Sequence, residues 1–279
     1  MEEACETPTN FLHVVHNLPE DGRKAGFGVC VKGLASPGDD LSLRMLEWIE
    51  VLRALGAGKI FLYQYEVHPN VEKVLDHYQR RGDVEVTPLT LPGERPTLPW
   101  LQYLSVKRNK IVKRLDELIP YNDCFMRNMY RFEYLAMLDI DEVILPRNSS
   151  DWSDMMTEIK ESLPDAEKMS TFAFQHVYFG DWMSEEVKDE EGREIPPYLH
   201  MLRHVHRSVK YFPEGKNIKA FHDTEMAVTI HNHFTKSCFT KCRSVIVETD
   251  HGHLQHFRSR QKRFPKGDYS QTVKVLTDI

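Results

Sequence analysis

The stretch that most constrains this chain is residues 134–146, where an apolar run meets three acidic residues. Residues 135–138 form a short apolar run that is typical of a strand buried on both faces. Asp139, Asp141 and Glu142 follow at its end. Residues i and i+2 of a strand project to the same side, which predicts that Asp139 and Asp141 point together. Their Cα atoms are then about 6.5 Å apart, from a rise of roughly 3.3 Å per residue.

Two carboxylates at that separation are suited to sharing a divalent cation with a phosphate ligand. Without a cation, burying two like charges costs several kcal/mol or forces one group to hold a proton. The alternative is a solvated corner between a strand and a loop. The buried run before Asp139 strengthens the metal interpretation, and both interpretations stay open at this point.

Composition describes an ordinary globular protein, with 41% hydrophobic and 28% charged residues in 279 positions. That length fits one large α/β domain or two small ones. The net charge of −6 gives no reason to expect a nucleic-acid partner. No window of eighteen apolar residues is present, and the acidic, polar first ten residues do not form a signal peptide.

The cysteine content leaves the redox compartment open. Five cysteines are too few for a disulfide scaffold, and they fit reduced core thiols as well as one or two bridges. Asn148-Ser149-Ser150 is a glycosylation acceptor pattern in a polar loop, which hints weakly at a secretory compartment.

Strand and helix patterns alternate in the first part of the chain. Strands are predicted at 27–34, 59–65 and 83–89, with helices from Asp40 or Ser42 to about Leu55 and over 71–81. This alternation predicts a parallel, doubly wound arrangement. Ligands of such sheets gather beyond the carboxyl ends of the strands, where Asp139 and Asp141 are expected.

The later part of the chain lacks this regular alternation of strands and helices. Further predicted elements are helices over 101–119, 124–132 and 152–163, strands over 170–179 and 226–234, and an acidic loop over 181–193. The expected organisation is an extension over 1–26, a single domain over 27–257 divided at 146, and a basic tail over 258–279.

Two separated motifs carry a resemblance to a known family. Asn122-Asp123-Cys124 begins a short helix, which is followed by the strand that ends in Asp139-Ile140-Asp141-Glu142. Together they resemble glycosyltransferase family 92. The segments 29–32, 58–63 and 254–258 also agree, so the resemblance covers about residues 29–258. The segment Tyr63-Gln64-Tyr65 departs from the more usual Tyr-Asp-Asn turn.

The resemblance implies a GT-A-like mixed sheet with a Rossmann-like nucleotide-binding half and helices on both faces. It also implies an inverting transfer of a sugar, typically galactose from UDP-galactose, to a glycan acceptor. Family members usually carry an amino-terminal membrane anchor and act in the Golgi lumen. An anchor is therefore expected, although this sequence shows no such segment.

The resemblance further implies a site that uses Mn²⁺ or Mg²⁺. Asp141 is expected to bind the metal directly, and Asp139 to serve the ribose or a metal-bound water. His231 is the chosen third ligand, and Asp181 the chosen general base. The donor is expected to contact Asp139 and, in addition, Lys32, Asp123 and Arg127.

Other functions fit parts of the sequence. The spacing of His231, His233, Cys238 and Cys242 is within reach of tetrahedral zinc ligation. A metal-dependent nucleotidyltransferase also uses paired aspartates on a Rossmann-like sheet. A relative that keeps the fold and only binds glycans is the third alternative.

Overall fold

A computed structural model describes residues 17–180, 192–258 and 272–274 of the chain. The strands of these ranges are β1 Ala25–Ser36, β2 Ala57–Val67, β3 Val84–Pro88, β4 Phe132–Met137, β5 Glu142–Pro146, β6 Thr171–Phe174, β7 His176–Gly180, β8 His206–Ser208, β9 Lys219–Asp223, β10 Ala227–Ile230, β11 Thr235–Cys238, β12 Ser244–Ile246, β13 Gly252–Arg258 and β14 Thr272–Lys274. The helices are α1 Ser42–Ala54, α2 Pro69–Arg81, α3 Pro99–Arg108, α4 Lys110–Asp116, α5 Leu118–Asn128 and α6 Trp152–Ser162, with a 3₁₀ turn at Ala166–Lys168.

The main sheet has seven strands in the order β12-β6-β9-β4-β1-β2-β3. Strands β4, β1, β2 and β3 run parallel to one another. On the other side of β4, strand β9 is antiparallel to both β4 and β6, and β12 is parallel to β6. The mixed sheet with a parallel first half is therefore confirmed, and β4 is its central strand.

A smaller sheet has the order β5-β13-β7. Strand β13 pairs antiparallel with β5 and parallel with β7. Because β5 follows β4 after only four residues, the chain passes from the main sheet to the small sheet within residues 138–141. Two short antiparallel pairs, β10 with β11 and β8 with β14, complete the described strands.

Helices cover both faces of the main sheet, as expected. Val29 of β1 belongs to a core that includes Trp48 of α1 and Leu75 of α2. Its neighbour Cys30 points to the other face, into a core that includes Phe125 of α5. This alternation follows from the period of two along a strand. A fully buried large apolar side chain contributes roughly 1.5–3 kcal/mol to stability, so both layers hold the sheet.

The single helix predicted over 101–119 is wrong. Asn109 has an extended backbone (φ −122°, ψ 99°), and its side chain accepts hydrogen bonds from the amides of Ile111 and Val112 at the start of α4. The predicted break at 120–123 is also wrong, because Pro120 lies in the first turn of α5. A proline is tolerated there, since the first amides of a helix have no intrahelical partner.

The segment 170–179 is two strands in two different sheets. Strand β6 joins the main sheet and β7 joins the small one, with the change at Gln175. The carbonyl oxygen of Gln175 accepts a hydrogen bond from the amide of Leu254 at 2.8 Å, which places β13 beside β7. The strand predicted over 226–234 is the shorter β10, which ends at Ile230.

Four cysteines form two disulfides, Cys30–Cys124 and Cys238–Cys242. The zinc alternative is therefore wrong, because two of its four ligands are bonded to each other. Cys5 lies outside the described residues, as do most of the predicted extension (1–26) and basic tail (258–279). Within the described part of the chain, no helix is both long and apolar enough to cross a bilayer.

We expect the Cys30–Cys124 disulfide to be the more stabilising of the two. It closes a sequence separation of 94 residues, and loop-closure entropy removed from the unfolded chain grows with loop length. Changing both cysteines to alanine should lower the free energy of unfolding by about 2–5 kcal/mol, measured by urea denaturation without reductant. The matched control is the double alanine variant of Cys238 and Cys242, which are only 4 residues apart. Equal losses in the two variants would contradict this ranking.

Candidate functional site

Asp139 and Asp141 lie in the turn that follows the carboxyl end of β4, the central strand. This location agrees with the prediction, but the two residues are not in a strand, so strand alternation does not set their directions. The turn is fixed by Glu142. Its amide donates to the Asp139 carbonyl at 3.0 Å, and its carboxylate accepts from the Asp139 amide at 3.2 Å.

The Asp139 carboxylate is held by two lysines. Lys32 Nζ lies 3.0 Å from Oδ1 and Lys219 Nζ lies 3.6 Å from Oδ2. The Tyr121 hydroxyl also donates to Oδ1, at 3.4 Å. Burial raises the pKa of Asp139, but the charges of Lys219 and Lys32 outweigh burial and hold this pKa below its ordinary value. Asp139 is therefore ionised and already neutralised by the protein.

Lys32 lies beside Asp139, and its contact with the donor stays a prediction. Its Nζ also lies 3.3 Å from Glu117 Oε1. Burial lowers the pKa of Lys32, but the carboxylates of Asp139 and Glu117 outweigh burial and raise it above its ordinary value. Lys32 is therefore a permanent cation at the carboxyl end of the parallel strands.

Lys219, at the start of β9, is a buried cation that sequence reasoning misses. Its side chain is 1% exposed. Its ammonium group lies 3.1 Å from Glu142 Oε2 and donates to Asn232 Oδ1 at 2.5 Å. The run Ile218-Lys219-Ala220-Phe221 carries no motif that separates a buried lysine from a surface one.

The histidine beside Asp141 is His256. Its Nε2 lies 3.2 Å from Asp141 Oδ2, and its Nδ1 lies 3.0 Å from His176 Nε2. The reason is strand register, because β13 places His256 opposite Glu142 of β5 and opposite Tyr178 of β7. Burial, together with the neighbouring His256, lowers the pKa of His176 to about 2, so His176 is a neutral partner. A late histidine therefore does meet Asp141, but not the one chosen from the sequence.

His231 does not make the predicted contact. Its amide donates to the Phe234 carbonyl at 2.8 Å, and its ring stacks on Phe234 with centroids 4.6 Å apart. In the described part of the chain, no hydrogen bond or ion pair joins His231 to Asp141. The segment is nevertheless close to the network, because the next residue, Asn232, binds Lys219.

Asp123 and Arg127 pair with each other rather than with the Asp139 network. Arg127 Nε donates to Asp123 Oδ2 at 2.8 Å, and the Tyr63 hydroxyl donates to the same oxygen at 2.6 Å. Among the described residues, no hydrogen bond or ion pair links this pair to Lys32, Asp139 or Asp141. Their donor-binding roles stay predictions. The predicted base, Asp181, lies outside the described residues.

The residues offer a partial metal site. Within residues 17–180, 192–258 and 272–274, no three His, Cys, Asp or Glu side chains are arranged to hold a metal ion. Asp139 and Glu142 are engaged by lysines, whereas the Asp141 side chain is 45% exposed and faces His256. Of the described residues in this network, Asp141 and His256 are therefore the pair that could contribute ligands to a metal ion.

Comparisons with known proteins define the family. The model of glycosyltransferase family 92 matches residues 25–278, which is most of the chain. The chain therefore belongs to glycosyltransferase family 92. No curated protein matches it.

One similar solved structure is that of S. aureus TarS, residues 1–349. The two chains are 10% identical, with a TM-score of 0.34, and the match covers 83% of this chain and 60% of the TarS chain. A similarity of this strength is too low to indicate fold or reaction.

We predict that Lys219→Met makes stability strongly dependent on pH. The variant leaves the Glu142 carboxylate buried without its cation and removes one of the two lysines that face Asp139, which keeps Lys32. The free energy of unfolding should fall by about 3–5 kcal/mol near neutral pH. The pKa values of both carboxylates should rise, so the folded state binds protons that the unfolded state does not. The loss should then shrink as the pH falls from 8 towards 5, measured by urea denaturation.

The control is Lys219→Met combined with Glu142→Gln, which removes the negative charge of Glu142 and keeps an oxygen that accepts from the Asp139 amide. At pH 8 this double variant should recover part of the free energy of unfolding that Lys219→Met loses. If Lys219→Met lowered the free energy of unfolding equally at pH 5 and pH 8, the result would contradict a buried ion pair at Lys219.

Proposed function

We propose that this chain transfers a sugar, with inversion, from a nucleotide sugar to a glycan acceptor and uses a divalent cation. The observation that carries the proposal is the contact of Asp141 with His256 beside the Asp139–Lys32 ion pair, at the carboxyl end of the central strand. Family membership supplies the reaction class. The donor is proposed to be UDP-galactose, as the resemblance implies.

Asp141 and His256 would hold the cation through one carboxylate oxygen and one imidazole nitrogen, atoms that lie 3.2 Å apart. Magnesium is commonly bound by one or two carboxylates together with substrate phosphates. A site with one oxygen and one imidazole nitrogen suits manganese as well. When bound, such an ion acts as a Lewis acid on the diphosphate leaving group.

His176 is proposed to set the tautomer of His256. When the Nδ1–H group of His256 donates a hydrogen bond to Nε2 of His176, the lone pair of His256 Nε2 is free to bind a cation on the side where Asp141 lies. A second hydrogen bond of this kind is how ligating histidines are usually oriented. Burial lowers the pKa of His176 and keeps its ring neutral, so its Nε2 can accept this hydrogen bond.

Asp139 is proposed as a hydrogen-bond acceptor for the donor ribose or for a metal-bound water, rather than as a direct ligand. Both of its carboxylate oxygens already face ammonium groups, and its pKa is lowered by them. Lys32, at 24% exposure, is the cation proposed to contact the diphosphate. The Asp123–Arg127 pair is not included in this proposal, because the side-chain hydrogen bonds of Asp123 and Arg127 join these two residues to each other and to Tyr63.

The acceptor side rests on the resemblance. An inverting transfer in one displacement needs a general base for the acceptor hydroxyl, and Asp181 remains the proposed base. The Golgi lumen remains the proposed location, as the resemblance implies. The two disulfides support an oxidising compartment of this kind.

A panel of nucleotide sugars tests the reaction class. Purified chain, Mn²⁺ and a mixture of glycan acceptors should release UDP from UDP-galactose, measured by a coupled nucleoside diphosphate assay. The matched control is Asp141→Asn, which keeps the size of the side chain and removes its charge, and which should lower turnover by about 100-fold or more. Release of pyrophosphate would instead indicate a nucleotidyltransferase, and binding of glycans without release of either would indicate a non-catalytic relative.

A comparison of two histidine variants tests the metal proposal. His256→Ala should raise the Mn²⁺ concentration for half-maximal activity by roughly tenfold or more, because one of two protein ligands is lost. His231→Ala should leave that concentration within about twofold, since the His231 ring stacks on Phe234. Direct Mn²⁺ titration by electron paramagnetic resonance should give the same order. The reverse order would restore His231 as the ligand.

A further inference from the structure

The helices α3 and α4 carry their apolar residues on the outside. In α3, Trp100, Leu101 and Leu104 share one helical face, and Trp100 is 58% exposed. The polar side chain of Gln102, on the opposite face, is buried. A surface helix normally buries its apolar stripe and exposes its polar one. This order is inverted in α3.

The same inversion continues in α4. Ile111 is 73% exposed and Leu115 is 60% exposed. Asp116 is buried instead and forms a bidentate ion pair with Arg95, through two hydrogen bonds of 2.7 Å. Two consecutive helices therefore expose apolar side chains, which we call the α3–α4 surface: Trp100, Leu101, Leu104, Ile111 and Leu115. Large exposed apolar patches mark interaction sites.

The exposed charged side chains on these two helices are all cationic, namely Lys107, Arg108, Lys110 and Arg114. Lys107 donates to the Tyr103 hydroxyl at 2.7 Å, and no ion pair involves the other three cations in the described part of the chain. Two acids lie nearby: Asp39 interacts electrostatically with Lys107, and Glu117 pairs with Lys113 at 3.9 Å. This local excess is positive although the whole chain has a net charge of −6. The complementary partner is therefore apolar and negatively charged.

We propose that the α3–α4 surface docks on a bilayer with negatively charged headgroups. Exposed tryptophan and leucine next to lysine and arginine is the composition of interfacial membrane-binding helices. The apolar side chains enter the headgroup boundary, while the long cationic side chains extend to the headgroups. A second copy of the chain fits less well, because a symmetric contact brings these cations against one another. The proposal does not depend on the proposed sugar transfer.

Vesicle flotation tests the proposal with the full chain. Wild-type protein should float with phosphatidylcholine vesicles that contain phosphatidylserine and should bind pure phosphatidylcholine vesicles much less. Binding should weaken as salt is raised. The variant Lys110→Ala/Arg114→Ala should lower the partition coefficient by about 5-fold for each cation removed. Trp100→Ala/Ile111→Ala should lower binding to both kinds of vesicle.

The matched control is Arg23→Ala/Arg80→Ala, which removes the same charge from other exposed positions. It should bind like wild type, and all variants should keep the wild-type circular dichroism spectrum because every changed side chain is exposed. Wild-type protein that does not float with anionic vesicles would overturn the proposal. So would equal losses in the control and in Lys110→Ala/Arg114→Ala. A dimer in sedimentation that Trp100→Ala/Ile111→Ala dissociates would assign the surface to a second copy instead.

Discussion

The buried ammonium group of Lys219 is the interaction on which the site depends. It stands at the start of β9 in the main sheet and contacts Glu142, the first residue of β5 in the small sheet, at 3.1 Å. It also faces Asp139 in the turn between the two sheets. Removing an ammonium group from water costs several kcal/mol, and only close, well-placed acceptors offset this. The residues around Lys219 are therefore fixed relative to one another by charge as well as by packing.

Much of the parallel half of the fold is predictable from sequence because its signals are local. Apolar strands separated by helices of the right length indicate β1, β2 and β3 and the place of Asp139 at the end of β4. The error in the later run 170–179 has a different cause. The run 170–179 alternates throughout, yet it divides between two sheets at Gln175, and alternation carries no information about which sheet a strand joins.

The candidate site is less predictable because it is assembled by register between distant strands. His256 meets Asp141 across 115 positions, and the contact follows from the pairing of β13 with β5 and β7. The motif at 254–258 includes His256, but a histidine next to a polar residue in a predicted late strand describes His231, beside Asn232, equally well. Lys219 has no such marker. Its burial is set by partners that come together only in the folded chain.

The balance of charge in the site bears on the proposed cation. Two ammonium groups, of Lys32 and Lys219, face the carboxylates of Glu117, Asp139 and Glu142, and Asp141 lies beside them. Burial is the largest cause of the raised pKa of Glu142, with Asp139 and Asp141 adding to the rise and Lys219 and His256 opposing it. Four carboxylates thus share two ammonium groups here.

A nucleotide diphosphate brings more negative charge into this surrounding. Like charges 4 Å apart repel by about 4 kcal/mol at an effective dielectric constant of 20. Lys32 and Lys219 cannot by themselves attract the diphosphate, because each already pairs with carboxylates of the protein. A divalent cation held by Asp141 and His256 would supply the missing positive charge, which is the physical reason for including it in the proposed function. Lys32 rather than Lys219 can then turn to the phosphates, since Lys32 is 24% exposed and Lys219 is 1% exposed.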